Sequence, residues 1–473
     1  MNEKNVRLVS VELLNYKNVS KGKLEMPCAV SRDFSCDRSE ILGIYGQNGS
    51  GKTAVIEVLS LTKALLSGQP LPPAAEDGIS KNAQEAVLAV SFFLGDENEG
   101  ILTKYQFTLR RILAEDSHSV TDSHSVYVSE EKLSYQTLSM RTYKTLLHYR
   151  ADQKSNFLSP KARYAAIAGN GDDAIELAVA KKLSLRAKTS FLFSKDTLPF
   201  LFSCSRKQTE EDLALQSILS LLPRYAVQGF FVVDSNHSGT ISLGASMPLA
   251  LQFDEDEQTP ERMILSLTEP SVQPLSVYDF VKRSVYSVNC VLGVLIPDMT
   301  LSVKEYGGQV TADGKDGMRF EILSVRGETR IPLKCESEGI KKLISVLNIL
   351  IAMYNHPSVL VAVDEFDAGV YEYLLGEILG ILEENGRGQL IFTSHNLRPL
   401  EMIQKKDIIF TTTNPHNRYI RFSGAKGNLR DQYIRSIHIG GQKEELYEYS
   451  NPLEIARAFR LAGRVQNETE GKE

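Results

Sequence analysis

The 473-residue chain is long enough to bury more than one core, and its 42% hydrophobic and 24% charged residues exclude a fibrous, low-complexity or wholly disordered protein. A net charge of −6 offers no global attraction to nucleic acid, so any such contact needs a local basic patch. The five cysteines are odd in number and lack CxxC spacing, so neither a disulfide framework nor a zinc site is expected and a reducing cytoplasm fits.

The opening residues lack a signal-peptide core, and no apolar run approaches the roughly 18 residues of a membrane span, so a soluble protein with no membrane partner is expected. From Leu8 to Leu14 the chain alternates, with Val9, Val11 and Leu13 on one face of a half-exposed strand. The apolar run ILGIY (41–45) then leads into GQNGSGKT (46–53), and a helical AVIEVL follows. Strand, glycine-rich loop and helix form the context of a phosphate-binding P-loop. Gly46, Gly49 and Gly51, with Asn48 and Ser50 between them, let successive N–H groups turn toward phosphate oxygens at the positive end of the helix dipole. Lys52 supplies the counter-charge to the β- and γ-phosphates, and the Thr53 hydroxyl is a Mg²⁺ ligand.

A Gly/Pro/Ala-rich loop spans 68–78, and two strands at 86–94 and 103–112 predict a hairpin that extends the first sheet. The duplication DSHSV (116–120 and 122–126) brings His118, His124, Asp116 and Asp122 together; its Ser/Asp-rich setting favours a polar hairpin tip over a metal site. The stretch 135–290 is mixed, with helices expected over 173–188 and 210–222 and a strand near 229–234. No heptad pattern persists, and the acidic run 254–257 reads as a solvated loop. An amphipathic helix over 278–295 and strands at 300–306 and 318–325 follow.

The run SVLVAVDE (358–365) is an apolar strand that ends in two carboxylates, a Walker B pattern that delivers acids to the carboxyl edge of a parallel sheet. Asp364 is placed to hold Mg²⁺, and Glu365 to orient and deprotonate an attacking water. A helix over 371–384 and the strand QLIFTS (389–394) complete a βαβ unit, which puts His395 at the same edge, within reach of a γ-phosphate. The long separation of Lys52 from Asp364 predicts a large insertion. Ser337 and Gly339, in CESEGIKK (335–342) at the start of a helix running to about Met353, offer a hydroxyl and free N–H groups to an anion, or a plain N-cap.

The ordered motifs GQNGSGKT, SEGIKK, VAVDEFDAG and TSHN, with the opening LVSVELLNYKNV, resemble those of ABC-type ATPases of the SMC, RecF and OLD-like class over about residues 1–66 and 295–425. The resemblance implies an α/β P-loop NTPase of ABC/SMC-head type, two-lobed, with a mixed, mostly helical insertion and no long coiled coil. It implies ATP and Mg²⁺ as ligands and a head that dimerises around ATP, with Ser337, Glu338 and Gly339 of one subunit on the γ-phosphate held by Lys52 of the other. Residues 367–370 match the family's D-loop. The expected division is an N-terminal lobe at 1–134, an inserted lobe at 135–294, a C-terminal lobe at 295–425 and a basic helical tail at 426–473. Arg430, Arg435, Arg457, Arg460 and Arg464 make that tail a candidate docking face for protein or nucleic acid. No clustered acids after His395 resemble a nuclease site. Shorter ATPases of this pattern resemble those of bacterial abortive-infection and anti-phage systems, the PARIS-type ATPase subunit among them, which work with a separate effector. A RecF-like DNA-repair or DNA-end-binding ATPase is the alternative.

Overall fold

The structure is a computed structural model that describes residues 4–34, 36–96, 99–112, 125–167, 171–203, 209–233, 246–248, 264–266, 269–422, 428–439, 444–447 and 451–470. The duplicated histidines and aspartates at 116–124 and the acidic run 254–257 lie outside the described residues.

Two sheets position the site. The first has seven antiparallel strands in the order β2-β1-β4-β5-β6-β7-β8. These are β1 (Asn5–Tyr16), β2 (Val19–Glu25), β4 (Glu85–Gly95), β5 (Gly100–Arg111), β6 (Val126–Thr137), β7 (Lys144–Arg150) and β8 (Leu158–Ser159). The second has six strands in the order β19-β18-β3-β17-β16-β9. They are β3 (Glu40–Tyr45), β9 (Phe230–Val233), β16 (Leu360–Val363), β17 (Gln389–Thr393), β18 (Ile408–Thr411) and β19 (Tyr419–Ile420). Only the β18–β19 pair in this sheet is antiparallel. The expected α/β P-loop architecture is met: a P-loop strand, a carboxylate strand and the strand ending at His395 lie parallel in one sheet.

Segment 135–294 contributes to several bodies. Its β7 and β8 extend the antiparallel sheet, β9 pairs with β16, and the helices Gly171–Ala187 and Glu210–Gln228 lie between them in the chain. β10 (Ser246–Pro248) pairs with β11 (Ile264–Ser266), and β12 (Ser271–Pro274), β13 (Met299–Val310) and β15 (Thr329–Pro332) all pair with β14 (Asp316–Arg326); the helix Leu275–Leu295 packs on β13 and β14 through Val281, Val288, Leu301 and Phe320. Among the described residues no helix is long and apolar enough to cross a membrane.

The parallel strands are buried on both faces, as their uninterrupted apolar sequences require. Leu42, Ile44, Leu360, Ala362 and Ile391 face the core shared with the P-loop helix Lys52–Leu66 and the antiparallel sheet. The alternate residues Ile41, Tyr45, Val361, Val363, Leu390 and Phe392 face the helices Glu338–Asn355 and Glu372–Asn385. The two helices that carry the candidate phosphate-contacting motifs therefore cover opposite faces of one sheet. Polar side chains join the sheets at the far edge. Gln389 accepts from the Leu8 N–H at 2.6 Å and donates to its carbonyl at 2.9 Å, and buried Arg7 pairs with Glu40 at 3.0 Å.

β1 departs from the simple alternation expected of it. A bulge between Leu8 and Ser10 shifts the pairing with β4, so Val6, Leu8, Val11 and Leu13 enter the main core while Val9 joins a small outer cluster with Cys36 and Phe93. One extra residue in a strand reverses which face its neighbours take, and composition carries no mark of that.

Candidate functional site

β3 ends at Tyr45, and the chain turns through Gly46, Gly49 and Gly51, whose φ angles are +152°, +75° and +94°. At Gly46 a Cβ would lie 1.7 Å from Thr411 Oγ1, and at Gly51 one would lie 2.9 Å from Val19, so glycine is required there by contact as well as by torsion. At Gly49 a Cβ would meet nothing within 4 Å, and the loop is open on that side. Gly51 caps the helix Lys52–Leu66, whose first N–H groups point toward the loop. Lys52 is buried, and its ammonium donates to the carbonyls of Gly46 at 2.8 Å and Gln47 at 3.0 Å. Burial pushes its pKa down, while the charges of Asp364, Glu365 and Asp367 pull it back up.

The loop is buttressed by residues remote in sequence. Tyr419 donates its hydroxyl to the Gly51 carbonyl at 2.8 Å, Ser50 and Thr411 share a hydrogen bond, and the Asn18 amide donates to the Gly49 carbonyl. Arg418 bridges the Thr412 and Asn18 carbonyls, each at 2.6 Å. The β1–β2 turn and the β18–β19 turn are thereby clamped together beside the P-loop.

Asp364 follows β16 and is 2% exposed. Its Oδ1 accepts from Thr393 Oγ1 at 2.6 Å and lies 3.4 Å from Thr53 Oγ1. The Thr53 hydroxyl in the first turn of the P-loop helix and the Asp364 carboxylate after β16 are hard oxygen donors, and they fit Mg²⁺, which takes one or two protein oxygens and keeps several waters. Glu365 is exposed and has φ +49°, a left-handed conformation uncommon for a residue with a Cβ. Its peptide is held on both sides: the N–H donates to Thr393 Oγ1 at 2.8 Å, and the carbonyl accepts from the ammonium of Lys342.

His395 is exposed at the end of β17, and its backbone N–H donates to Asp367 Oδ2 at 3.1 Å, as the Asn396 N–H does at 2.9 Å. Partial desolvation of the ring and then the Lys52 charge push its imidazole pKa down against the pull of Asp367, Glu365 and Asp364. The ring is held toward its neutral form, which offers one donor and one acceptor.

Gly46, Asn48, Gly49, Ser50, Gly51, Lys52, Thr53, Asp364, Glu365 and His395 thus gather at one sheet edge. Ser337, Glu338 and Gly339 do not join them around Lys52 within the chain. Ser337 caps the helix Glu338–Asn355 by accepting from the Ile340 N–H at 3.4 Å, and both Ser337 and Glu338 are exposed. Gly339 abuts the 367–370 segment: a Cβ there would lie 1.8 Å from the Gly369 carbonyl oxygen. Sequence reasoning did not find Thr393, Lys342, Asn18, Arg418, Thr411 or Tyr419 as parts of the site. Thr393 opens the motif TSHN, Lys342 closes SEGIKK and Asn18 lies in LVSVELLNYKNV, but no motif assigned those side chains a role.

No protein-family model matches the chain. By sequence, 81 residues are 37% identical to the DNA replication and repair protein RecF of Deinococcus radiodurans, which is 17% of this chain. The match spans 19% of that relative's length. By structure, the Smc head domain with a coiled coil and joint from Pyrococcus yayanosii is similar over 91% of this chain and 99% of its own, at 12% identity and a TM-score of 0.41. The SMC head domain from Thermotoga maritima is similar over 88% of this chain and 100% of its own, at 15% identity and a TM-score of 0.36.

Proposed function

We propose that the chain binds and hydrolyses ATP and acts as an ATP-dependent switch. The observation that carries this reading is the meeting of the glycine cradle and Lys52 with Thr53 and Asp364, whose Oγ1 and Oδ1 are 3.4 Å apart, beside an exposed Glu365. The loop N–H groups and Lys52 bind the phosphates. Thr53 and Asp364 would hold Mg²⁺, which when bound neutralises charge on the β- and γ-phosphates. Glu365 accepts the proton of the attacking water, and His395, kept toward neutrality, donates a hydrogen bond at the γ-phosphate side.

Ser337, Glu338 and Gly339 lie across the sheet from the P-loop helix, and this favours a composite site in which they serve the nucleotide of a second copy. The proposed assembly is an ATP-dependent head-to-head dimer. The reading as the sensor subunit of a bacterial anti-phage system, acting with a separate effector, rests on the motif resemblance. The match to RecF supports the alternative, a DNA-repair or DNA-end-binding ATPase; ATP-dependent duplex binding that falls steeply with salt would select it.

Equilibrium dialysis and size-exclusion chromatography test the core of the proposal. Lys52→Ala should lose ATP binding, whereas Glu365→Gln should bind ATP, hydrolyse it about 10²–10⁴-fold more slowly and accumulate as a dimer. Unchanged binding in the first variant, or normal turnover in the second, would remove those residues from their roles.

A further inference from the structure

We propose that Lys342 is the positioning residue of Glu365: its buried ammonium holds the Glu365 peptide in the left-handed conformation that directs the carboxylate outward, and ties that peptide to the helix capped by Ser337. The inference rests on the hydrolytic reading and adds a residue to it.

Lysine is among the side chains most rarely buried, and one held away from water needs a compensating partner. Lys342 is 2% exposed, and its ammonium donates to the carbonyl of Glu365. Glu365 has φ +49°, a strained torsion that persists only where the surroundings over-determine it. Two groups do so here: Thr393 holds the N–H of the residue and Lys342 holds its carbonyl. With the peptide groups on both sides of the residue fixed, the Cα–Cβ direction is fixed, and the side chain stands exposed at the sheet edge. Burial lowers the pKa of the ammonium, and the charges of Asp367, Glu365 and Asp364 oppose that shift.

The same helix touches the same segment a second time. Gly339 and Lys342 are three residues apart, so they share a helix face, and Gly339 packs against Gly369 while Lys342 reaches Glu365. A helix joined to residues 365–369 at two points moves that segment when it moves. The helix start carrying Ser337 is thereby connected to the general base of its own chain.

The test compares Lys342→Met, which keeps the length and apolar stem without the donor, with Lys342→Arg, which keeps a donor. In nucleotide-free protein, hydrogen–deuterium exchange should rise in peptides covering 364–370 for the methionine variant and stay near wild type for arginine, with peptides over 46–53 unchanged in both. ATP affinity by equilibrium dialysis should stay within about twofold, while kcat falls on the order of 100-fold in the methionine variant, the cost of displacing a reacting group by about 1 Å. Unchanged exchange at 364–370, equal effects of methionine and arginine, or a loss confined to KM would overturn the proposal. If the methionine variant lacks a cooperative melt, Lys342→Leu takes the same measurements; an unfolded leucine variant would make Lys342 a folding residue and overturn the positioning role. Should wild-type protein release no phosphate, the hydrolytic reading fails by itself, and the exchange comparison still decides whether Lys342 sets the 364–370 backbone.

Discussion

Thr393→Val removes one hydroxyl from a fully buried position and keeps the shape of the side chain, so its cost can be worked out from two hydrogen bonds. Thr393 Oγ1 donates to Asp364 Oδ1 at 2.6 Å and accepts from the Glu365 N–H at 2.8 Å, with no exposed surface of its own. Loss of the first bond takes away a charge-assisted partner worth about 1.5–3 kcal/mol. Loss of the second leaves a backbone donor without its acceptor, worth about 1–3 kcal/mol. Taken together they predict a destabilisation of about 2.5–6 kcal/mol, and at roughly 2 °C per kcal/mol a fall in melting temperature of about 5–12 °C by differential scanning calorimetry. Phosphate release should also fall, because the Asp364 carboxylate and the Glu365 peptide are oriented by the same hydroxyl. Thr393→Ser keeps the hydroxyl and should retain most of both properties. A valine variant that melts within 1 °C of wild type and turns over normally would refute the reasoning, since neither bond could then matter.

Two further outcomes follow from close contact and from titration. Gly339→Ala places a Cβ 1.8 Å from the Gly369 carbonyl oxygen, so overpacking should cost about 1–3 kcal/mol and lower ATP turnover; calorimetry and phosphate release check both, and a silent alanine would mean that the helix start and Gly369 separate freely. Asp407 is buried, and burial, with Glu383 close by, pushes its carboxyl up to about 7, against roughly 3.9 in an unfolded chain. Between those values the folded state holds more protons, so this contribution to stability is full below about pH 4 and is lost as pH rises through about 7. Wild-type protein should therefore melt lower at pH 8.5 than at pH 6, and Asp407→Asn should reduce that difference; an undiminished difference would assign the slope to other groups.

The P-loop, the Asp364–Glu365 pair and His395 were legible because each joins its chemistry to the element that presents it within about ten residues. A βαβ connection predicts that β16 and β17 are parallel neighbours, and they pair so, with the helix Glu372–Asn385 between them in the chain. What escaped was long-range. Arg418 and Asn18 are 400 positions apart, and no periodicity links a turn after β1 to a turn between β18 and β19. β6 and β7 were invisible as members of the first sheet, since pairing partners are chosen by tertiary packing rather than by strand composition. The bulge in β1 reversed a face assignment that strict alternation had suggested for Val9. Lys342 stands in the motif SEGIKK without a role that the sequence assigns, and its burial follows from the way its helix lies over the carboxylate segment.

The sheet also decides how nucleotide binding could be sensed. Lys52 begins a helix on one face, and Ser337 caps a helix on the other, and the carboxyl edge of the sheet joins the two by direct contacts. That edge is residues 364–369, and its contacts are discrete: Asp364 to Thr393, Glu365 to Thr393 and Lys342, Asp367 to the N–H groups of His395 and Asn396, and Gly369 to Gly339. Packed contacts of this kind move between defined arrangements rather than stretching continuously. A second copy that offered its phosphate to Ser337 would push on a helix already fastened to Glu365 and Gly369. In the proposed dimer the same edge would then report occupancy of one site to the base of the other, a coupling carried by the contacts that already build each site.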